Sequence, residues 1–443
     1  MVILQRRATL CLCLCLLFLG GVVEGGNVRK KAPKPGSFNV MDFGAKGDGL
    51  AEDTKESNKC IGLDWDLQAF MAAWQAACSY TGSARLLIPK HTYLLGQVKF
   101  SGPCKNVPSL TIYMKASLLH PKQNKKQKEI IICHPSGHLM AVRDLNRFTD
   151  SDVWVEFGWV KGLTLTGNGI FDGQGSYAWP FNKCPKNKHC EVLPTSIKFI
   201  AMTNTIVKGI TSLNSMFFHI GVVDCKNFRA SDLHITAPAD SPNTDGIHLE
   251  RCSDVQIHSS IIGTGDDCIS VGHGSSQITL SGITCGPGHG ISVGSLGRYP
   301  NEGDVNGLVV RDSTISGTMN GLRIKTWEDS PGSSSVSNMT FQNIVMKNVG
   351  NPIIIDQSYC PFQSCSSSAP SRVKISDISF TNIRGTSSSP VAVTLHCSRG
   401  IPCQNVKLHD IHLDYTAGAS AAKSTCLNVK ATYSGTQIPP PCM

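Results

Sequence analysis

Charge and aromatic rings are both scarce in this 443-residue chain: Asp, Glu, Lys and Arg make up 16% and Phe, Trp and Tyr 7%. So little charge, beside 41% apolar residues, excludes a disordered polyelectrolyte. Hairpin dipeptides such as Asn-Gly are mostly missing between the apolar segments, which argues against a sandwich of antiparallel strands. There is no CxxC pair and no HExxH, so the cysteines do not read as zinc ligands. The stretch Lys122 to Lys128 has no interleaved aromatics and no DNA-binding motif accompanies it. It reads as a solvated loop, and nucleic acid is not expected as a partner. Beyond the N-terminus no apolar run approaches the roughly 20 residues of a membrane span, so the mature form is expected off the membrane.

What is present begins with an export signal. Arg6 and Arg7 precede an apolar run from Leu10 to Gly20, and small residues follow at Gly21, Gly25 and Gly26. That is the layout of a secretory signal peptide, with its boundary near residue 26. The expected localisation is therefore extracellular, and residues 27–443 are read as one domain, expected monomeric. Three of the 19 Cys fall in the signal, and the 16 that remain are an even number, as an oxidised secreted domain requires. Cys184 lies near Cys190, Cys360 near Cys365, Cys397 near Cys403 and Cys426 near Cys442. Asn338-Met339-Thr340 is a glycosylation acceptor triplet. Removing the signal leaves a net charge of about +8 from the full chain's +9, a modest bias toward a polyanionic partner.

Gly is abundant, at 42 residues, and the sequence restarts at regular intervals. Short β-branched segments begin near Phe228, Val255, Ile278, Leu308 and Met339, separated by 27, 23, 30 and 31 residues. A period of that size with strands inside each unit indicates a solenoid. The expected fold is all-β: parallel coils stacked on one another, alternate Val, Ile and Leu inside. The open end of such a stack needs a cover. Gln68 to Cys78 supplies a helix candidate, with Phe70, Met71, Trp74 and Ala77 at helical spacing. Tyr433 to Met443 reads as an irregular tail tied by a cysteine.

Chemistry concentrates in the middle. Asn243-Thr244-Asp245-Gly246, Gly265-Asp266-Asp267-Cys268 and Gly288-His289-Gly290 follow in order, and Asp245, Asp267 and His289 are 22 residues apart, twice over. One coil later in a parallel solenoid is one strand spacing away, about 4.8 Å. The spacing therefore lines two carboxylates and an imidazole on one face, with Asp266 beside them. Two coils further on, Arg323-Ile324-Lys325 puts two cations on one side of a strand. Glycoside hydrolysis needs one carboxyl to protonate the leaving oxygen and another to activate water or attack. Crowded carboxyls cannot all ionise, so one is raised and supplies the acid. A cluster of Asp245, Asp266 and Asp267 equally suits a hard cation, and the residues alone leave that alternative open.

The four ordered motifs NTD, GDD, GHG and RIK resemble those of glycoside hydrolase family 28, the polygalacturonases. Flanking stretches are similar too: Phe43 to Gly49, Phe171 to Gly175, Ser295-Leu296-Gly297-Arg298-Tyr299, Thr326-Trp327 and Asp356 to Cys360. The likeness runs from about residue 38 to the C-terminus and is greatest to plant, pollen exo-type members. It implies a right-handed parallel β-helix, no cofactor and no metal, polygalacturonan or pectin as substrate, and a place in the cell wall. It implies Asp266 as general acid, Asp245 and Asp267 as the pair that positions and deprotonates water with inversion, and His289 as a tuning or substrate-touching residue. Arg323 and Lys325 would clamp the substrate carboxylate, with Asn243 and Tyr359 on the substrate side of the cleft. Two segments depart from the family pattern, at about Glu56–Leu67 and His120–Met140, and each carries one cysteine, Cys60 and Cys133. In this setting Cys268 is expected to pair with Cys285 in a neighbouring coil. A calcium-dependent lyase and a non-catalytic wall-binding protein on the same scaffold are the competing classes. The acid-rich centre and the ordered motifs argue against the first, and the intact set of three Asp, His, Arg and Lys against the second.

Overall fold

Alternation decides the architecture. In Ser253–His258 the side chains of Val255 and Ile257 turn inward while Gln256 and His258 turn out, and the same pattern recurs from segment to segment. Each segment thus has one apolar edge too narrow to form a core alone, and stacking on the next copy buries it. The computed structural model describes residues 35–50, 65–115, 137–148, 152–184, 187, 190–362, 365, 367–416, 418 and 420–442. Within them the strands form a sheet of 20 and a sheet of 11, every strand pairing parallel. This is the right-handed parallel β-helix expected, in which consecutive strands of one sheet belong to successive coils.

The sheet of 11 strands carries the site. Its strands at Ile220–Val223, Ile247–Glu250, Ile269–Val271, Ile291–Leu296 and Asn320–Thr326 pair in that order. Ile220, Ile247, Ile269, Ile291 and Leu322 stand in one inward column, none more than 2% exposed. Their neighbours His248, Ser270, Ser292 and Arg323 form the adjacent outward column. Inside the helix, phenylalanines continue the stack: Phe100, Phe157, Phe199 and Phe228 follow one another with ring centroids 5.2 Å apart. Turn residues stack as well. Asp312, Asn343 and Asn382 each hold a left-handed backbone that Asn and Asp tolerate. Their side chains form a ladder, with Asn343 Nδ2 donating to Asp312 Oδ1 at 2.9 Å and Asn382 Nδ2 to Asn343 Oδ1 at 2.9 Å.

The N-terminal helix spans Trp65–Cys78 and covers the first coils with Ala69, Phe70, Ala73, Trp74 and Ala77. Met71, expected on the buried stripe, is 36% exposed; Ala69 and Ala73 pack where it was placed. The C-terminal reading also changes. Val429–Ile438 is a strand paired with Cys403–Tyr415, so the chain leaves regular structure only after Ile438.

Six disulfides join the described residues: Cys184–Cys190, Cys268–Cys285, Cys360–Cys365, Cys397–Cys403, Cys426–Cys442 and Cys78–Cys104. The last, which ties the helix to the loop at Cys104, spans a sequence separation of 26 and has no local signature in the sequence. Cys225 and Cys252 are buried thiols. The export signal, Cys60, Cys133 and the stretch Lys122 to Lys128 lie outside the described residues. Asn338 is exposed on the helix surface. Among the described residues, no helix is long and apolar enough to cross a membrane.

Candidate active site

Three turns feed the strands that carry the site. Asp245, Asp267 and His289 each precede by two residues the paired positions Ile247, Ile269 and Ile291, so the spacing of 22 is a true coil register. Close stacking of these turns needs glycine. A side chain at Gly265 would meet the Ser241 carbonyl, and one at Gly288, where φ is 134°, would meet the Asp266 carbonyl. The three carboxylates, His289, Asn243, Arg323, Lys325 and Tyr359 all line one cleft of about 930 Å³. All eight residues expected at the site are thus brought together.

Their environments differ. Asp267 is 1% exposed, and each of its oxygens is bonded, with one acceptor position left on Oδ2. Oδ1 accepts from Arg323 Nη2 at 2.7 Å and from Ser292 Oγ at 2.7 Å, and Oδ2 accepts from Lys325 Nζ at 2.8 Å. Burial by itself would raise this carboxyl, but the Lys325 and Arg323 charges override it and hold Asp267 well below the usual carboxylate range. Asp267 in turn raises both cations against the lowering effect of their own burial. Arg323 Nε also donates to Ser292 Oγ at 2.9 Å.

Asp245 has the same local bond, from Ser270 Oγ at 2.7 Å, but no cation bonds it. Burial, and then the neighbouring Asp266 and Asp267, push its carboxyl well above the usual range, with Lys325 and Ser270 only partly opposing. Asp245 is therefore a carboxyl of the cluster that its surroundings hold toward the protonated form. Asp266 is the more open of the GDD pair, its side chain 18% exposed against 1% for Asp267. Its Oδ1 accepts from the Asp267 backbone N–H at 2.8 Å and lies 2.8 Å from His289 Nδ1, while Oδ2 accepts from Asn243 Nδ2 at 3.4 Å. Asn182, which the sequence did not single out, donates to Asn243 Oδ1 at 3.1 Å.

Arg323 and Lys325 stand one coil beyond His289 rather than two, because Ile291–Leu296 pairs directly with Asn320–Thr326. Besides the substrate clamp expected of them, both cations bond Asp267. The Tyr359 ring lies 5.9 Å from the Arg323 guanidinium and 5.2 Å from Lys325 Nζ. Tyr359 also meets Trp327 edge-on at 5.5 Å, so an aromatic wall backs the two cations. Asp266, Asp267 and His289 stand close enough together to hold a metal ion. The donor chemistry fits a cation poorly, because Asp267 already spends both oxygens on an ammonium and a guanidinium. Ser270, Ser292 and His248 were missed in the sequence. Their signal was the repeated Ile-Ser-Val at 269–271 and 291–293, where each Ser sits one coil above an Asp.

Residues 78–435 match the family described as glycosyl hydrolases family 28. Over 402 residues the chain is 45% identical to an exopolygalacturonase of Platanus acerifolia, covering 91% of this chain and 96% of that one. It is 43% identical over 403 residues to a polygalacturonase of Gossypium hirsutum, with 91% and 89% covered. Among solved structures it resembles an endo-xylogalacturonan hydrolase from Aspergillus tubingensis, with a TM-score of 0.69 at 22% identity over 86% of this chain and 99% of that one. A hyperthermoactive exopolygalacturonase from Thermotoga maritima gives a TM-score of 0.64 at 17% identity, covering 91% and 93%. These two similarities speak to the fold.

Proposed function

The chain belongs to glycosyl hydrolases family 28, and on that premise we propose that it is a polygalacturonase cutting α-1,4-galacturonosyl bonds of pectin by inversion. The observation that carries the reading is the meeting of three carboxylates in different environments with an imidazole, an arginine and a lysine in one cleft. Relatives named exopolygalacturonase favour release of single residues from a chain end. The same plant relatives and the N-terminal export signal support action outside the cell, on the wall.

In this reading Asp266, the accessible carboxyl, protonates the departing oxygen, oriented by His289 and Asn243. Asp267, kept ionised, accepts a hydrogen bond from the attacking water. Asp245, the stronger base of the two because its carboxyl is raised, takes the water's proton. Arg323 and Lys325 have donors beyond those spent on Asp267 and turn them to the galacturonate carboxylate. Proton NMR of the first product from polygalacturonate tests the scheme: the new reducing end appears as the anomer opposite to the bond cut, and a retained anomer refutes it. Asp266→Asn is expected to fold and to lose activity a hundredfold or more, on the order of a lost general acid. Product sizing separates the modes: monomer alone means exo, a ladder of oligomers means endo.

A further inference from the structure

A base that takes a proton in every turnover must also give it up. Asp245 lines the cleft but is only 7% exposed, so its own contact with cleft water is slight, and its charged neighbours are Asp266, Asp267 and Lys325. One chain of hydrogen bonds leads away from it. Ser270 Oγ lies 2.7 Å from Asp245 Oδ2, and His248 Nδ1 lies 2.9 Å from the same Ser270 Oγ. His248 Nε2 is 3.5 Å from Glu250 Oε2, and both side chains open to the cleft, 20% and 27% exposed. The register explains the alignment, since His248 and Ser270 are direct neighbours in the outward column of paired strands.

We propose that Ser270 and His248 are positioning residues that carry the proton from Asp245 to the edge of the cleft after each hydrolysis. The proposal rests on the reading of Asp245 as base. The geometry fits two states without movement of a side chain. With Asp245 protonated, its Oδ2–H donates to Ser270, the Ser270 hydroxyl donates to His248 Nδ1, and His248 keeps its proton on Nε2 toward Glu250. With Asp245 ionised, Ser270 donates to the carboxylate and His248 Nδ1–H donates to Ser270. Passing from the first to the second breaks the Asp245 O–H and forms the His248 Nδ1–H, with Ser270 exchanging one proton for another. A carboxylic acid and a neutral imidazole become a carboxylate and an imidazolium; the imidazolium gives its Nε2 proton to water, and exchange of the neutral ring with solvent back to its Nε2–H tautomer readies the next turnover.

A carboxylate stands at the outer end of His248. Glu250 faces it, and Glu250 is itself shared with His273 Nε2 at 3.3 Å and with Arg251. Arg251 is further bonded to Asp224 at 2.7 Å, which draws its charge away from the imidazole. The ring of Phe218 lies 5.0 Å from that of His248 and shields one face. Asp267 shows the contrast: its equivalent serine, Ser292, leads to the Arg323 guanidinium, which cannot take a proton. Only the Asp245 branch ends in a group that titrates.

The test uses the full chain with Ser270→Ala, His248→Asn and His248→Ala. His248→Asn keeps a polar group near Ser270 but removes the proton acceptor. All three are expected to lower kcat on polygalacturonate by at least about tenfold with KM within about twofold, the mark of a lost step rather than lost binding. Added imidazole should restore kcat to His248→Ala, following the neutral form of the buffer. A second arm needs no substrate: NMR titration of His248 in the parent and in Asp245→Asn. Coupling through Ser270 moves the His248 midpoint to lower pH in the variant, by on the order of half a unit. A kcat within twofold of the parent in Ser270→Ala, or a His248 midpoint that Asp245→Asn leaves in place, overturns the relay. A parent inactive on polygalacturonate refutes the proposed function instead, and the titration still decides the coupling.

Discussion

Two successive coils place the same pair of residues in the same relation and shift their carboxyls in opposite directions. Asp245 is bonded by Ser270 and Asp267 by Ser292, each serine 25 positions after its aspartate and each bond 2.7 Å long. Beyond that bond the coils diverge. Asp267 reaches Arg323 and Lys325 and is held ionised, whereas Asp245 meets two other carboxylates and is pushed toward its protonated form. A shared local geometry does not fix the state of a carboxyl; the charges delivered by later coils do. The two carboxylates therefore differ in how firmly each holds its charge.

The largest effect that would break the comparison is expected from Asp267→Asn. It leaves Arg323 and Lys325 buried without their anion, a loss of roughly 3–5 kcal/mol in chemical denaturation, with activity falling at least as far as in Asp266→Asn. Asp245→Asn, at the sister position, should abolish turnover with no comparable loss of stability. Next comes Arg323→Ala. Its charged hydrogen bond to Asp267 is worth about 1.5–3 kcal/mol, so kcat/KM should drop by roughly 10- to 100-fold. The fall should appear in kcat as well as KM, since the arginine serves Asp267 as well as substrate. A change in KM alone would return Arg323 to a pure substrate clamp.

The smallest effect is the pH dependence of stability, and its sign differs between the two coils. The Asp245 carboxyl is raised on folding, so its contribution is present below the unfolded value of about 3.9 and is lost as pH rises through the folded one. The Asp267 carboxyl is lowered, so its contribution is present above that unfolded value and is lost only as pH falls toward the folded one. Thermal melts should then show Asp245→Asn gaining on the parent as pH goes from 4 to 7. Asp267→Asn should approach the parent only in strong acid. Identical pH profiles for the two variants would mean that the coils are not electrostatically distinct.

Much of this molecule was legible in its sequence. A spacing of 22 between Asp245, Asp267 and His289 gave their column, because a parallel coil converts sequence period directly into register. Short loops announced Cys184–Cys190, Cys360–Cys365 and Cys397–Cys403, while Cys78–Cys104 joins a helix to a loop and carried no local sign. The tail was misread because Pro439 to Pro441 suggested irregularity, whereas the ten residues of Val429–Ile438 still found a free strand edge to pair with.

What the sequence by itself determined is therefore the period, the inward and outward faces, and the order of the motifs along the cleft. The tertiary structure decided which way the Asp245 and Asp267 carboxyls are shifted, where Arg323 and Lys325 point, and that Ser270 joins His248 to Asp245. Arg323 and Lys325 lie 56 and 58 positions from the carboxylate they hold. The physical reason is that a repeat encodes which residues share a column, a local property of spacing. Charge state depends on desolvation and on distances through space, and these exist only once the coils are packed.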